Sequence, residues 1–317
     1  NIGSLYARVA GTNDPGSGLP RNIALYPKAV DAKAMNMIKT FGDFASAGPL
    51  GAAYAPYEPG EGATMQADMT LKMARDRFDD RRLLLNDLDS AKRRLDETGA
   101  AGMSGFQGQA FDMILGGIAE AFDVSKEDPR TIARYDTAPL VNPNSIRQVW
   151  KNYERYRDHS QNIGKLLLLA RRLCERGAGF VTVTTNFVWD MHADQNNATM
   201  TEGMEYVGAP FDHAVSAFIE DVENRGLSEK ILLVCCGEMG RNPVINKGGG
   251  RDHWGNLAPL ILYGGGLKTG QVIGQSDRRG GEPDSSPVLM ENLTATILHS
   301  LLDLNKVRLM EGLSNEL

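Results

Sequence analysis

Three polar clusters in the second half of the 317-residue chain carry the residue types that perform metal and acid–base chemistry. Asp190-Met191-His192 follows one apolar run, Gly237-Glu238-Met239-Gly240-Arg241 follows another, and Arg251-Asp252-His253-Trp254 sits in the loop beyond. An Asp-x-His spacing sets its two side chains on one side of an extended segment but on opposite sides of a helix. On an extended loop the pair can therefore grip one ion. With His253 they form a set of one carboxylate and two imidazoles. That set suits zinc first, with manganese or calcium as alternatives, and leaves a coordination position open for water or substrate. A cation held there would acidify a bound water or polarise a phosphoryl or sulfuryl oxygen. Glu238 is expected to serve as a second-site ligand or as a base, and Arg241 or Arg251 to clamp an oxyanion with its planar fork. The competing reading of the same residues is helix caps and surface ion pairs.

Other groups with reactive chemistry read as structural. His213 and His299 fall in helical patterns, and His159 lies in the charged run Arg155-Tyr156-Arg157-Asp158 as a solvated side chain. Cys235 and Cys236 stand inside an apolar run as small packing residues, and Trp189 and Trp254 flank the ligands as walls or as core. No Gly-x-x-x-x-Gly-Lys-Ser/Thr and no Gly-x-Ser-x-Gly occurs, which disfavours P-loop nucleotide hydrolysis and serine hydrolysis at a nucleophile elbow.

The elements that must position these residues follow from periodicity and punctuation. Residues 11–62 are rich in Gly, Pro and Ala and read as a loop-rich wall with one strand near residues 22–25. Residues 64–97 have a helical pattern, 107–122 another, and Ser125-Lys126-Glu127-Asp128 has the form of a capping box that starts a short helix toward Tyr135. A long helix is expected over 144–176, closed by Gly177 and Gly179. After it come a strand at 180–185, a helix at 211–225 closed by Gly226, and a buried strand at 231–236. Together these predict a βαβ unit with a parallel strand pair. Further strands are expected at 258–263 and 271–274, and a closing helix at 290–302. Chemistry in such sheets gathers where strands end, so Asp190 and His192 should lie close to Glu238 and Arg241. The loop between Cys236 and Ala258, with its many glycines, should bring His253 back to them.

Composition excludes whole classes. The net charge is −6, and the basic residues, among them Arg81-Arg82, Lys92-Arg93-Arg94 and Arg171-Arg172, are scattered among acids as on solvated helix faces. Nucleic-acid binding, which needs clustered Lys and Arg, is disfavoured. Three cysteines make no disulfide framework, and no apolar run approaches the ~20 residues of a membrane span. The chain opens at Asn1 rather than Met, consistent with a processed or incomplete product, so the lack of a visible signal peptide is no argument for the cytoplasm.

The motifs resemble an uncharacterised sulfatase-like family of exported bacterial proteins within the alkaline phosphatase superfamily. The likeness runs through residues 169–177, 189–192, 221–227, 237–241 and 250–254, and more faintly through Ile2-Gly3-Ser4 and Ala121-Phe122-Asp123. The resemblance implies an α/β fold: one alkaline-phosphatase-like unit over 1–317, with a mostly parallel sheet flanked by helices that lacks its first strand. Residues 64–176 would form a helix-rich part and 177–305 the βαβ part carrying the metal. It also implies a periplasmic or secreted location and Asp190, His192 and His253 as ligands of one divalent metal. In the second site of that superfamily an Asp-His pair ligates. Here Glu238 and Met239 stand in its place, and a thioether is a poor ligand for such a cation. Neither the Cys-x-Pro-x-Arg nucleophile signature nor the superfamily's upstream nucleophile is identifiable. The expectation is a metal-dependent hydrolase acting on a small anionic phosphate or sulfate ester. Its alternatives are a non-catalytic binding or structural protein of the same fold, and a subunit that docks a protein partner or forms an oligomer.

Overall fold

The computed structural model describes residues 1–39, 42–43, 45–60, 75–77, 79–81, 83–84, 118–185 and 187–309. These residues mix helices with small sheets. Two compact units divide them: the described residues of Asn1–Ala32, Lys39–Glu127 and Arg172–Thr184 form the first, and those of Lys33–Ile38, Asp128–Arg171 and Thr185–Leu317 the second. No helix among the described residues is long and apolar enough to cross a membrane.

In the first unit, helix α1 (Ile2–Ala10) starts where the Asn1 side chain accepts the Ser4 N–H. Strand β1 (Asn22–Leu25) is buried along its whole length and pairs in parallel with β2 (Phe180–Val183), Asn22 opposite Phe180. This parallel pair replaces the predicted one, because the register of β2 is pinned at both ends to β1. Gly179 and Phe180 N–H both donate to the Arg21 carbonyl, at 3.0 and 2.7 Å, and Thr184 N–H donates to that of Leu25 at 3.0 Å. Helix α2 (Ala119–Phe122) is the described end of the helix expected over 107–122. Of the helix expected over 64–97 only eight residues between 75 and 84 are described, all helical.

Helix α3 (Pro129–Tyr135) is capped one turn later than a capping box at Ser125 would require. Asp128 accepts the Arg130 and Thr131 N–H groups, and Pro129 fills the first position, where no donor is needed. Helix α4 (Tyr153–Glu175) begins nine residues later than expected, since Pro143–Ser145 form a separate 3-10 turn. It ends as the glycines foretold: Ala178 N–H reaches the Leu173 carbonyl and Gly177 N–H that of Cys174, with Gly177 at φ 109°. That is the Schellman pattern, whose left-handed residue favours Gly. The same pattern recurs at Gly226, where Leu227 N–H reaches the Val222 carbonyl and Gly226 N–H that of Glu223.

Helix α4 buries Leu166, Leu168, Leu169 and Leu173 almost completely, each worth about 2 kcal/mol in transfer terms. Its arginines do not face solvent as their charge suggested. Arg171 is fully buried and pairs with Asp221 at 2.7 Å. Asp221 also holds Arg225 at 2.7 Å and the Tyr135 hydroxyl at 3.1 Å. Arg172, in the first unit, pairs with Glu127 at 2.9 Å and donates to the Glu120 carbonyl. Both arginines are buried because a carboxylate meets each guanidinium, the condition under which buried charge is tolerated.

In the second unit, short helix α5 (Met200–Gly203), capped by Thr199, runs through a π-turn (Met204–Gly208) into α6 (Ala209–Asn224). Strand β3 (Leu232–Cys236) does not extend a parallel sheet. It pairs antiparallel with β6 (Leu260–Gly264), Val234 opposite Leu262, and is half-exposed rather than buried. Between them β4 (Gly240–Arg241) and β5 (His253–Trp254) form a two-residue antiparallel ladder with Arg241 opposite His253. Residues 271–275 form no ladder, only a bridge further on between Ser276 and Pro283. Helix α7 (Met290–Leu301) closes the sequence of long elements, followed by α8 (Leu304–Val307).

Candidate metal centre

Residues 187–193 form a turned loop after β2: Phe187 and Ala193 have positive φ, and Met191 N–H donates to the Trp189 carbonyl at 3.0 Å, so the side chains divide without a strict period of two. Val188 and Met191 turn into a core with Ala198, Tyr206 and Val207, while Asp190 and His192 turn to the opposite, half-exposed side. The loop returning from β4 lays its backbone against this segment. Arg251 N–H donates to the Met191 carbonyl at 2.9 Å and Met200 N–H to that of Gly249 at 2.9 Å. A Cβ on Gly250 would lie 2.2 Å from the His192 carbonyl carbon, so only a glycine fits this approach. The β4–β5 ladder then carries His253 and Arg241 to the same place.

The result is a cluster of Asp190, His192 and His253 whose ligand atoms all lie within 4.8 Å of one another. His192 Nε2 is 3.1 Å from His253 Nε2, His253 Nε2 is 3.1 Å from Asp190 Oδ1, and His192 Nε2 is 3.7 Å from the same oxygen. Three donor atoms on a zinc at about 2.0–2.1 Å in tetrahedral geometry stand about 3.3–3.4 Å apart, close to the mean of these separations. The donor set fits a nitrogen-tolerant divalent cation such as zinc or manganese better than calcium, which takes oxygen ligands. Arg241 also enters the cluster. Its Nη2 donates to Asp190 Oδ1 and its Nη1 lies 3.5 Å from His192 Nε2. Burial pushes the Asp190 carboxyl up, but the hydrogen bond and charge of Arg241, with His253 adding to them, bring it below the usual carboxylate range. Asp190 is therefore an anion ready to bind a cation, and the guanidinium is the cation it now holds.

The other expected site residues divide. Arg251 joins through its backbone, and its Nε is buried with no hydrogen-bond partner among the described residues. Glu238 is exposed and outside the cluster. Trp189 packs edge-on against Phe211, and Trp254 donates its indole N–H to the Gly281 carbonyl at 2.7 Å. Burial pushes the Cys235 thiol up to about 11, against any nucleophilic use. His213 is satisfied by the Arg134 carbonyl at 2.8 Å, and His299 is exposed. His159 is the opposite of solvated: it is 1% exposed and its Nε2 lies 3.2 Å from the Val207 carbonyl.

Two residues that the sequence did not single out stand behind His192. Asp252 Oδ1 lies 3.2 Å from His192 Nδ1. Asn246 uses its whole amide: Nδ2 donates to the His192 carbonyl and to Asp252, and Oδ1 accepts from the Gly248 and Gly250 N–H groups. Adjacency of Asp252 to His253 was the only sequence signal, and alternation along an extended segment points neighbours apart.

No curated protein and no solved structure matches the chain. The family described as "Protein of unknown function (DUF1501)" matches residues 1–315, and the chain belongs to that family.

Proposed function

We propose that this chain is a metal-dependent hydrolase of phosphate or sulfate esters, with the sulfatase-like, alkaline-phosphatase-like character its motifs resemble. The observation that carries the reading is the convergence of the Asp190–His192 pair with His253, 61 residues beyond His192, on one point at 3.1–3.7 Å. Asp190 supplies negative charge and His192 a lone pair through Nε2, and His253 would supply one through its Nε2 on giving up the proton by which it meets Asp190. A divalent cation there would polarise an ester oxygen or acidify a water. Arg241 now spends its charge on Asp190. With that oxygen engaged by a cation, the Arg241 guanidinium would be free to meet the anionic ester, for which its planar fork is suited. Stripping the protein with a chelator should abolish hydrolysis of 4-nitrophenyl phosphate or sulfate, and zinc or manganese should restore it. Arg241→Ala should lower restored turnover by about 100-fold, the scale of losing one donor to a developing oxyanion. Turnover that survives chelation, or that ignores Arg241, contradicts the proposal.

A second reading, a protein that keeps the cation site without turnover, is favoured by Glu238. As an exposed residue outside the cluster it assembles no second site with Asp190, His192 and His253. In that case the chelator and zinc arms alter stability but no ester is cleaved.

A further inference from the structure

We propose that Asp252, braced by Asn246, is a positioning residue that fixes the tautomer of His192 and so aims the Nε2 lone pair of that ring at the cation position. The inference rests on the metal reading above and names residues that reading does not need. A carboxylate only accepts hydrogen bonds, so at 3.2 Å from Asp252 Oδ1 the Nδ1 of His192 must be the protonated nitrogen. A neutral ring protonated at Nδ1 has its lone pair at Nε2, and that is the nitrogen 3.1 Å from His253 Nε2 and 3.7 Å from Asp190 Oδ1. Without Asp252 the ring is free to take the other tautomer, common for imidazole in water, in which Nε2 carries a proton and cannot ligate.

Asn246 makes the brace stiff at both ends. One of its amide N–H groups holds the His192 carbonyl at 2.9 Å, fixing the backbone of the ligand, and Nδ2 also reaches Asp252 Oδ1 at 3.4 Å, fixing the carboxylate. Its own carbonyl is held by the Gly248 and Gly250 N–H groups at 3.0 and 2.9 Å, and its backbone N–H donates to the Gly250 carbonyl at 2.8 Å. Asn242 N–H in turn holds the Asp252 carbonyl at 2.8 Å. The loop from 242 to 252 thus closes on itself through Asn246 and presents one carboxylate oxygen to one ring nitrogen. A surface ion pair has no need of that scaffold, whereas a ligand that must keep one tautomer and one ring angle does.

The test uses the whole protein with cobalt(II) as the probe. The ring-nitrogen signals of His192, assigned against His192→Gln, report its tautomer in the metal-free protein. The visible absorption of bound cobalt reports coordination and affinity. Wild type should show the Nδ1-protonated ring and bind one cobalt with the intense bands of a tetrahedral site. Asp252→Ala should shift the ring toward the Nε2-protonated form and weaken cobalt binding by about 10–100-fold. Asp252→Asn, which keeps an acceptor oxygen, should recover most of both. Asp252 has 62% of its side chain exposed, so its truncation leaves no cavity, and an unchanged melting temperature should confirm a folded variant. An Asp252→Ala protein with wild-type tautomer and affinity overturns the inference and leaves the metal reading standing. A wild-type chain that binds no cobalt overturns both.

Discussion

One oxygen, Asp190 Oδ1, lies within reach of Arg241, His253 and His192, so three donors crowd a single acceptor. His159 shows what a histidine does when it is not available to a cation. Burial drives its pKa down from 6.5 to about 4, its Nε2–H is spent on the Val207 carbonyl, and its Nδ1 has no partner among the described residues. The neutral ring is therefore part of the fold, and the sign of its pH dependence follows. The unfolded chain takes up the proton below about 6.5 and the folded chain only below about 4, so stability is full above 6.5 and falls as pH drops through that window. The loss from this residue amounts to about 3 kcal/mol. Denaturant titrations at pH 7.5 and 4.5 should show His159→Phe to be much less pH-sensitive than wild type. Equal sensitivity of the two proteins would exclude His159 as the source.

At the scale of elements, the centre is built by one turned segment, one two-residue ladder and one loop that touches bare backbone. The ladder puts Arg241 opposite His253, and the loop lets Gly250 rest where a Cβ would lie 2.2 and 2.3 Å from the carbonyl atoms of His192. Gly250→Ala leaves every ligand in place yet forces the loop and the ligand segment apart. Its expected effect is a fall in zinc affinity by calorimetry on the order of 10–100-fold, the size of effect seen when support behind a ligand is lost. Unchanged affinity would mean that the close approach is incidental. The same elements show which signals in the sequence were readable. Gly177 and Gly226 marked helix ends because the Schellman turn demands a left-handed residue, whereas Asp190 and His192 come together on a loop that turns at Trp189–Met191 rather than by the alternation of an extended segment. The short ladder of β4 and β5 had no such signal, since two residues show no period.

For the molecule as a whole, the longer apolar strands were legible, the one expected at 271–274 was not formed, and strand pairing was not readable. Residues 180–183 and 232–236 are both strands, but hydrophobic runs do not state their partners. One pairs with β1 in parallel and the other with β6 antiparallel, in separate compact units. Asp190, His192 and His253 cluster despite that error because their meeting depends on the segments after the strands rather than on the strands sharing a sheet. Charge patterning misled at Arg171, Arg172 and His159 for one reason: a charged or polar run on a long helix reads as solvated unless its distant partners, Asp221, Glu127 and the Val207 carbonyl, are known. Glu238 was drawn toward the centre by its motif, and the structure leaves it exposed and outside the cluster. The central claim is that Asp190, His192 and His253 hold one cation together. Elemental analysis of the chain after equilibrium dialysis against zinc, alongside Asp190→Ala, His192→Ala and His253→Ala, tests it most directly. The account predicts about one zinc per wild-type chain and loss of that zinc in each variant with the fold retained. A stoichiometry that stays the same after His192 and His253 are removed would contradict it.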